Sequence, residues 1–344
     1  MGMFSRNIAV DLGTTNVLVF VEGKGIVMRE PAVVAVDSSN HRQVMAVGEE
    51  ARQMLGRTPG NIVAVQPLKD GVIADFETTE IMLRWLIRKA LGGVSFWSAP
   101  QAIVCVPCDV TEVEERAVLD ATKRAGARDA CVIEEPMAAA IGAGLPVGEA
   151  AGSMVVDIGG GTTEVAVLSL GDVVLGASLR LGGMKLDDSI ISYVKREYNM
   201  LIGDRTAEEI KISLGSAMQP KVNNRMHIKG RNLSNGLPTN IEVSAMDAFM
   251  ALEESMMSIV DLIKSTLEKT PPELSADIMQ RGIVLTGGGA LLPGLDVLVY
   301  THTGIPTMVA DNPLDCVVLG AGKTLEHIDT LKRARRFRER SYNY

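Results

Sequence analysis

The chain has 344 residues, 47% hydrophobic and 22% charged, with a formal charge of −8. That hydrophobic share at this length supplies two substantial cores and excludes extended disorder, and the acidic balance excludes a nucleic-acid scaffold, which needs clustered Lys and Arg. The balance is uneven: residues 332–344 carry six Lys or Arg against Glu339, so the first 331 residues sum to −13.

The N-terminus reads as the start of a folded domain rather than a leader, since Arg6 and Asn7 run straight into an apolar strand. Strands are predicted over residues 6–11, 16–22, 26–36 and 43–47. The first two flank Asp11-Leu12-Gly13-Thr14-Thr15-Asn16-Val17. Glycine permits a tight turn and close backbone approach, so N–H groups and threonine hydroxyls at such a tip can wrap phosphate oxygens. A carboxylate closing the strand beside the tip would meet a metal ion carried by those phosphates. In isolation the same pattern is an ordinary turn.

A helix follows over about 78–91, then Gly92-Gly93-Val94-Ser95-Phe96-Trp97-Ser98-Ala99-Pro100, a glycine-flanked loop with two aromatics side by side. Phe96 and Trp97 either fold back into the core or face an apolar surface outside it. The strand predicted over 102–106 holds Cys105, three residues ahead of Cys108. With no second C-x-x-C and four scattered histidines, the pair reads as buried or strand-end thiols rather than a redox or zinc site. The four cysteines form no disulfide framework, which points to a reducing, cytoplasmic setting. Thr111 to Glu114 form a capping box, hydroxyl and carboxylate satisfying each other's free N–H groups, and open a helix that Gly126 ends. After a strand over 130–134, Pro136 and an alanine run start another helix with Glu135 on its lip. There Glu135 complements the helix dipole or faces a ligand. Apolar runs such as Met137 to Val147 reach about a dozen residues, short of the roughly 20 that span a bilayer.

The three-strand opening recurs at 153–181, and with it Asp157-Ile158-Gly159-Gly160-Gly161-Thr162-Thr163-Glu164-Val165. Two such hairpins roughly 150 residues apart, each opening half of the chain, indicate a duplicated α/β domain gripping one nucleotide from both sides. Gly182-Gly183 break into a helix from Leu186 to Tyr198, and Thr206-Ala207-Glu208-Glu209 read as a second capping box, opening a short helix through Lys211 to Leu214. Residues 219–244, polar and Gly/Asn-rich, read as hairpins of an inserted subdomain. A long amphipathic helix is predicted from about Ala245 to Leu267, with Met250, Met256 and Met257 as core filler, closed by Pro271-Pro272. A helix over 275–281 precedes the strand Ile283 to Thr286, which delivers the turn Gly287-Gly288-Gly289-Ala290. Such a turn can pass closely over an adenine ring, or be a plain strand-to-helix connection. Ile305-Pro306 to Val309 and Cys316 to Leu319 lead into Gly320-Ala321-Gly322 and a terminal helix. The basic tail, from Lys332 to Arg338, either meets an anionic lipid surface or is a solvated helix end.

Two phosphate hairpins, a glutamate on a helix start and a glycine turn after a strand come in an order that resembles the actin, sugar kinase and Hsp70 ATPase superfamily. Its pattern is phosphate-1, connect-1, phosphate-2, adenosine, connect-2. Within it the chain is similar over essentially its whole length to the MreB/Mbl family of bacterial actins. The likeness is carried by Gly25-Ile26-Val27 to Glu30-Pro31, Gly71 to Phe76, Glu134 to Gly144, Asp157 to Val165, Gly203 to Lys211 and Leu285 to Leu292. Thr15 replaces the more usual Ala, and Met184-Lys185 stands where an acidic pair often follows the glycine. The resemblance implies an α/β fold of duplicated actin-like (ribonuclease H-like) ATPase domains around a nucleotide cleft. Lobe I would cover 1–150, with an insert at about 33–68 and the return of 317–344; lobe II would cover 151–316, with an insert at about 184–243.

It also implies an ATPase that uses ATP with Mg2+. Asp11 and Asp157 would hold the metal, largely through its waters, while Gly13, Thr14, Thr15 and Asn16 with Gly159, Gly160, Gly161 and Thr162 cradle the phosphates. Glu135 would orient or deprotonate the attacking water, with Thr162 helping to place it. Glu208, Glu209, Ile210 and Lys211 would lie on the ribose and base side, and Gly287, Gly288, Gly289 and Ala290 over the adenine. Phe96 and Trp97 would insert into the inner leaflet, weakly for one protomer and strongly for a filament that repeats the contact. The partners implied are copies of the chain itself, the cytoplasmic face of the cell membrane, and elongation-machinery proteins such as MreC, MreD and RodZ, with no nucleic acid. Together these describe membrane-associated filaments that determine rod shape by guiding peptidoglycan synthesis. Two rivals share the superfamily. A sugar-type kinase would need a catalytic Asp facing a sugar pocket and usually a longer chain; an Hsp70-like ATPase would need a β-rich peptide domain after the last helix, where this sequence stops at Tyr344.

Overall fold

The structure, a computed structural model, describes residues 7–37, 43–58, 60–92 and 99–328. It divides into two compact units: residues up to Pro146 together with those from Asp315 onward, and Val147–Leu314.

In the first unit, β1 (Ile8–Leu12), β2 (Asn16–Val21) and β3 (Gly25–Pro31) form an antiparallel meander. An insert follows with β4 (Val34–Asp37), β5 (Gln43–Val47), α1 (Glu49–Met54), β6 (Ile62–Val65), β7 (Leu68–Lys69) and β8 (Val72–Ile73). Then come α2 (Phe76–Leu91), β9 (Gln101–Val106), α3 (Glu112–Arg124), β10 (Asp129–Glu134) and α4 (Glu135–Gly142). The main sheet has the order β10-β9-β1-β2-β3, with β9 and β10 added in parallel. Ile8, Ala9 and Val10 are fully buried, as a continuous apolar run must be in a central strand covered on both faces. The N-cap Asp75 accepts a hydrogen bond from the Thr78 N–H, and Gly92 at φ +72° ends α2 in the left-handed region. The face of α2 that carries Met82, Leu83, Leu86, Ile87 and Ala90 is buried in the sheet core, at about 1.5–3 kcal/mol for each large side chain.

The single strand expected over 26–36 is two. Pro31 has no N–H for the ladder, and at Ala32-Val33 the chain leaves the main sheet for a small one, β5-β4-β6, built around Val33, Ala35, Ala46 and Ala51. The short α1, β6, β7 and β8 were not expected, being too brief to show a period. Cys105 and Cys131 are buried and Cys108 half-buried, and none of the three forms a disulfide.

The second unit runs β11 (Ser153–Ile158), β12 (Thr163–Ser169), β13 (Asp172–Leu179), α5 (Gly183–Tyr198), β14 (Met200–Leu201), α6 (Asp204–Leu214), β15 (Arg225–Asn232) and β16 (Pro238–Ser244). It continues through α7 (Ala245–Lys269), α8 (Pro272–Arg281), β17 (Ile283–Thr286), α9 (Leu295–Thr303) and β18 (Thr307–Val309). Its main sheet is β13-β12-β11-β17-β18. β11 to β13 form the antiparallel meander, and β17 and β18 add in parallel beside β11. Strand for strand this is the topology of the first unit, so the duplication seen in two short motifs extends through five strands. Val156, Ile158, Val165 and Val167 from the sheet meet Ile190 and Val194 of α5 and Leu252, Met256, Ile259 and Ile263 of α7 in one core.

Three expectations change here. Helix α6 begins at Asp204 after the N-cap Gly203, so Thr206 lies inside its first turn and donates its N–H to the Gly203 carbonyl; the expected capping box is not made. A capping box occurs instead at Ser244 and Asp247, opening α7. Of the three methionines, Met256 is buried and Met257 packs against the core, but Met250 is 54% exposed, its sulfur facing the Tyr193 hydroxyl. Finally, α10 (Cys316–Thr324) starts at Cys316, so Gly320, Ala321 and Gly322 lie within the helix that returns to the first unit.

Candidate functional site

Both glycine tips hang between strands in the same register. Leu12 pairs with Val17 and Ile158 with Thr163, enclosing Gly13 to Asn16 and Gly159 to Thr162. In the second, the Gly159 N–H donates to the Thr162 carbonyl at 2.9 Å. In the first, a Cβ on residue 13 would sit 2.5 Å from the Asn16 carbonyl oxygen, so only glycine allows that closure.

The first tip is held from its insert side: the Thr14 hydroxyl, 4% exposed, accepts the Gly71 N–H at 3.0 Å. Thr15 is half-buried and its carbonyl accepts the Ala32 N–H, while Asn16 is exposed. Asp11 stands in β1, half-buried, one residue from the strand end. Glu135 is the first residue of α4, and β10 delivers it there. Its side chain is 8% exposed, at a helix N-terminus that favours negative charge, with Pro136 fixing the first turn.

In the second unit Asp157 is 5% exposed and accepts the Thr286 hydroxyl at 2.7 Å across the parallel β11–β17 pair. Burial pushes its carboxyl up to about 6, against that hydrogen bond. Thr162 is also buried. The neighbouring Thr163 hydroxyl donates to the Leu181 carbonyl at 2.6 Å. Behind the tip, the Gly183 N–H donates to the Gly159 carbonyl and the Met184 N–H to the Gly160 carbonyl, at 2.9 and 2.8 Å. The departure at Met184 is therefore tolerated: the position is used through its backbone.

On α6, Glu208 is half-buried and Glu209 exposed, where it pairs with Arg205. Ile210 is 1% exposed and faces the core, so its side chain takes part in packing. Lys211 donates to the Gly183 carbonyl and to Asp187. Gly287, at φ +78°, passes directly over Ile158: a Cβ there would collide with the Ile158 carbonyl, and one on Gly289 with the Ile158 side chain. The Gly287 N–H donates to the Pro313 carbonyl, and Ala290 is buried in a short 3-10 turn. The structure thus collects Asp157, Gly159–Thr162, Lys211 and Gly287–Ala290 around one sheet end. Sequence reading missed Thr286, Gly182 and Asp187, whose roles arise from pairings across strands and helices that leave no local pattern.

The metal-binding candidates are hard oxygen donors, one carboxylate beside each tip, and no group of three or more His, Cys, Asp or Glu able to hold an ion occurs among the described residues. In each unit taken by itself, a lone carboxylate beside a glycine tip suits Mg2+, which keeps several waters and binds through phosphate with one or two carboxylates, rather than an all-protein cage. Among the described residues no helix is long and apolar enough to cross a membrane. Phe96, Trp97 and the basic tail lie outside the described residues.

A family model described as MreB/Mbl protein matches residues 5–333. The chain belongs to the MreB/Mbl family. It is 52% identical to the cell shape-determining protein Mbl of Bacillus cereus, over 97% of this chain and 100% of the relative. It is equally 52% identical to the cell shape-determining protein MreB of Escherichia coli, over 95% of each. Its fold is the actin-like one: the crystal structure of Spiroplasma citri MreB5 bound to AMPPNP superposes with a TM-score of 0.91 at 36% identity, covering 97% of this chain and 99% of that one. The duplicated, mixed five-stranded sheets are thus those of an actin-like member of the MreB/Mbl family, as the motifs implied.

Proposed function

We propose that the chain is a cell shape-determining, actin-like protein that binds and hydrolyses ATP with Mg2+ and assembles into filaments on the inner face of the cell membrane, guiding wall synthesis. The observation that carries this reading is the full-length likeness to cell shape-determining MreB and Mbl relatives. The AMPPNP bound to MreB5 supports the nucleotide. These relatives weigh against a sugar kinase or an Hsp70-type ATPase.

In this reading the N–H groups and hydroxyls of Gly13–Asn16 and Gly159–Thr162 cradle the phosphates, and Asp11 and Asp157 hold the magnesium through its waters. When bound, the ion neutralises charge on the β- and γ-phosphate oxygens. Glu135, set at the start of α4 with its backbone already fixed, orients the attacking water or accepts its proton, and the Thr162 hydroxyl helps to place that water. Glu208, Glu209 and Lys211 serve the ribose side, with Ile210 as the packed residue that anchors α6 beneath them; Gly287–Ala290 cover the base. Phe96 and Trp97 supply the membrane contact, and copies of the chain together with elongation proteins of the MreC, MreD and RodZ type are its partners.

Pelleting with and without ATP, and with and without liposomes, tests the reading. ATP-dependent sedimentation with phosphate release is the expected result. A protein that stays soluble under all assembly conditions yet phosphorylates a sugar would sink it.

A further inference from the structure

Asp187 has no part in the roles above, yet it lies at the centre of a half-buried network on the second tip. It is in the first turns of α5, and its side chain is 15% exposed, that of Lys211 16%. The Lys211 ammonium lies 2.8 Å from Asp187 Oδ1, donates to Oδ2 at 3.0 Å, and donates to the Gly183 carbonyl at 2.9 Å. Gly183 and Met184 in turn donate their N–H groups to the carbonyls of Gly159 and Gly160. A Cβ on Gly182 would stand 2.7 Å from the Gly160 carbonyl, so the two backbones touch.

These contacts set the direction of the tip's donors. In a planar trans peptide the N–H points opposite to the preceding C=O. With the Gly159 and Gly160 carbonyls turned toward α5, the N–H groups of Gly160 and Gly161 point away from it, free for a phosphate. The Asp187 carboxylate neutralises the half-buried ammonium and keeps it on the Gly183 carbonyl; without that counter-charge the cation swings out to water and the carbonyl loses its donor.

We propose that Asp187, acting through Lys211 and Gly183, is a positioning residue for the phosphate tip at Gly159–Thr162, holding the Gly160 and Gly161 N–H groups in their phosphate-accepting arrangement. The inference rests on the nucleotide reading above. Burial pushes Asp187 up to about 6, while Lys211 opposes this and Glu208 of α6 and Asp188 of its own helix add to it. On the α7 side, Ser255 faces Ser189 of α5 at 3.2 Å, and no charged group of α7 bears on the carboxylate among the described residues.

The test titrates the full chain with N-methylanthraniloyl-ATP and Mg2+ at about pH 7.5 and about pH 5.5, either side of the Asp187 midpoint. Asp187→Asn should weaken binding about tenfold at the higher pH, and Asp187→Glu should recover most of it. Lys211→Gln loses affinity by itself, and adding Asp187→Asn to it should cost less than about twofold more, since the two act as one unit. At the lower pH the ratio of wild type to Asp187→Asn should fall toward one, because the wild-type carboxyl is then largely neutral. Lys211→Gln probes the link from the other side, and its ratio to wild type should follow the same pH course. Equal affinity of wild type and Asp187→Asn at the higher pH, additive losses in the double variant, or ratios unchanged by pH would overturn the inference alone. A wild-type chain that does not bind the analogue would overturn the nucleotide reading and this inference with it.

Discussion

Glu135 and Asp157 are both buried carboxylates in different surroundings, and different roles are proposed for them. Glu135 sits at a helix start, so its charge is favoured and its backbone is fixed in place. Glu135→Ala should lower the rate of phosphate release at least about 100-fold while nucleotide affinity stays within about threefold, read by single-turnover hydrolysis and equilibrium binding. Unchanged hydrolysis would remove Glu135 from its role. Asp157 is desolvated inside a sheet with a single hydroxyl donor, and its carboxyl is pushed up to about 6. A carboxyl raised in the folded state stabilises below its unfolded value, near 4, and that contribution is lost as the pH rises through about 6. In nucleotide-free protein, the stability of Asp157→Asn relative to wild type should therefore climb between about pH 4 and pH 7, by on the order of 2 kcal/mol. Urea denaturation across that range measures it, and a constant offset would contradict the assignment.

Helices α4 and α10 pass closer than side chains allow. A Cβ on Gly142 would collide with the Cys316 carbonyl, and one on Gly320 with the Ala138 carbonyl, so glycines on both helices permit the crossing. The start of α10 is tied to the sheet as well, by the paired hydrogen bonds of Arg29 with Asp315. Because α4 begins with Glu135, this contact holds in place the helix that carries it. Gly320→Ala should lower stability by on the order of 3 kcal/mol in chemical denaturation, since two backbones must separate. Gly148→Ala, where a Cβ meets nothing within 4 Å, is the matched control and should change stability by less than about 0.5 kcal/mol. Element boundaries were legible where a local device marks them, as at the Thr111 capping box and the Pro136 helix start. They were misread at Thr206, where a capping pattern lies inside the first turn of α6, and at the start of α10. Cys316 to Leu319, expected to precede the terminal helix, form its first turn and pack against α4.

At the scale of the whole chain, the two units repeat one sheet plan, and each carries an Asp-x-Gly tip at the same place in it. The copies differ in what surrounds them: the first tip is held by Gly71 of the insert, the second by Gly183 and Met184 of α5. An assembly that repeats a weak contact gains membrane affinity by multivalency, so the membrane contact proposed for Phe96 and Trp97 should be coupled to filament formation. Replacing both aromatics with Ser should leave ATP-dependent pelleting intact and abolish co-sedimentation with liposomes at the same protein concentration. Retained liposome binding would transfer the contact to the basic residues 332–340.

The sequence by itself determined the features whose interactions close within a few residues. The glycine tips, the Thr111 capping box and the buried strands Ile8–Val10 and Met154–Val156 are written in the local sequence, because a turn or a short apolar run is a property of neighbours. It therefore determined the duplication and the family, and it is the source of the proposal that both tips bind phosphate. Only the tertiary structure decided what holds those tips in place. Thr286 reaches Asp157 from 129 residues away, Lys211 meets Asp187 from another helix, and Gly320 lies against Ala138 across a crossing that no local period records. Parallel strand partners and helix crossings are set by long connections and by the shared burial of distant faces. Such contacts exist only once the whole sheet has formed.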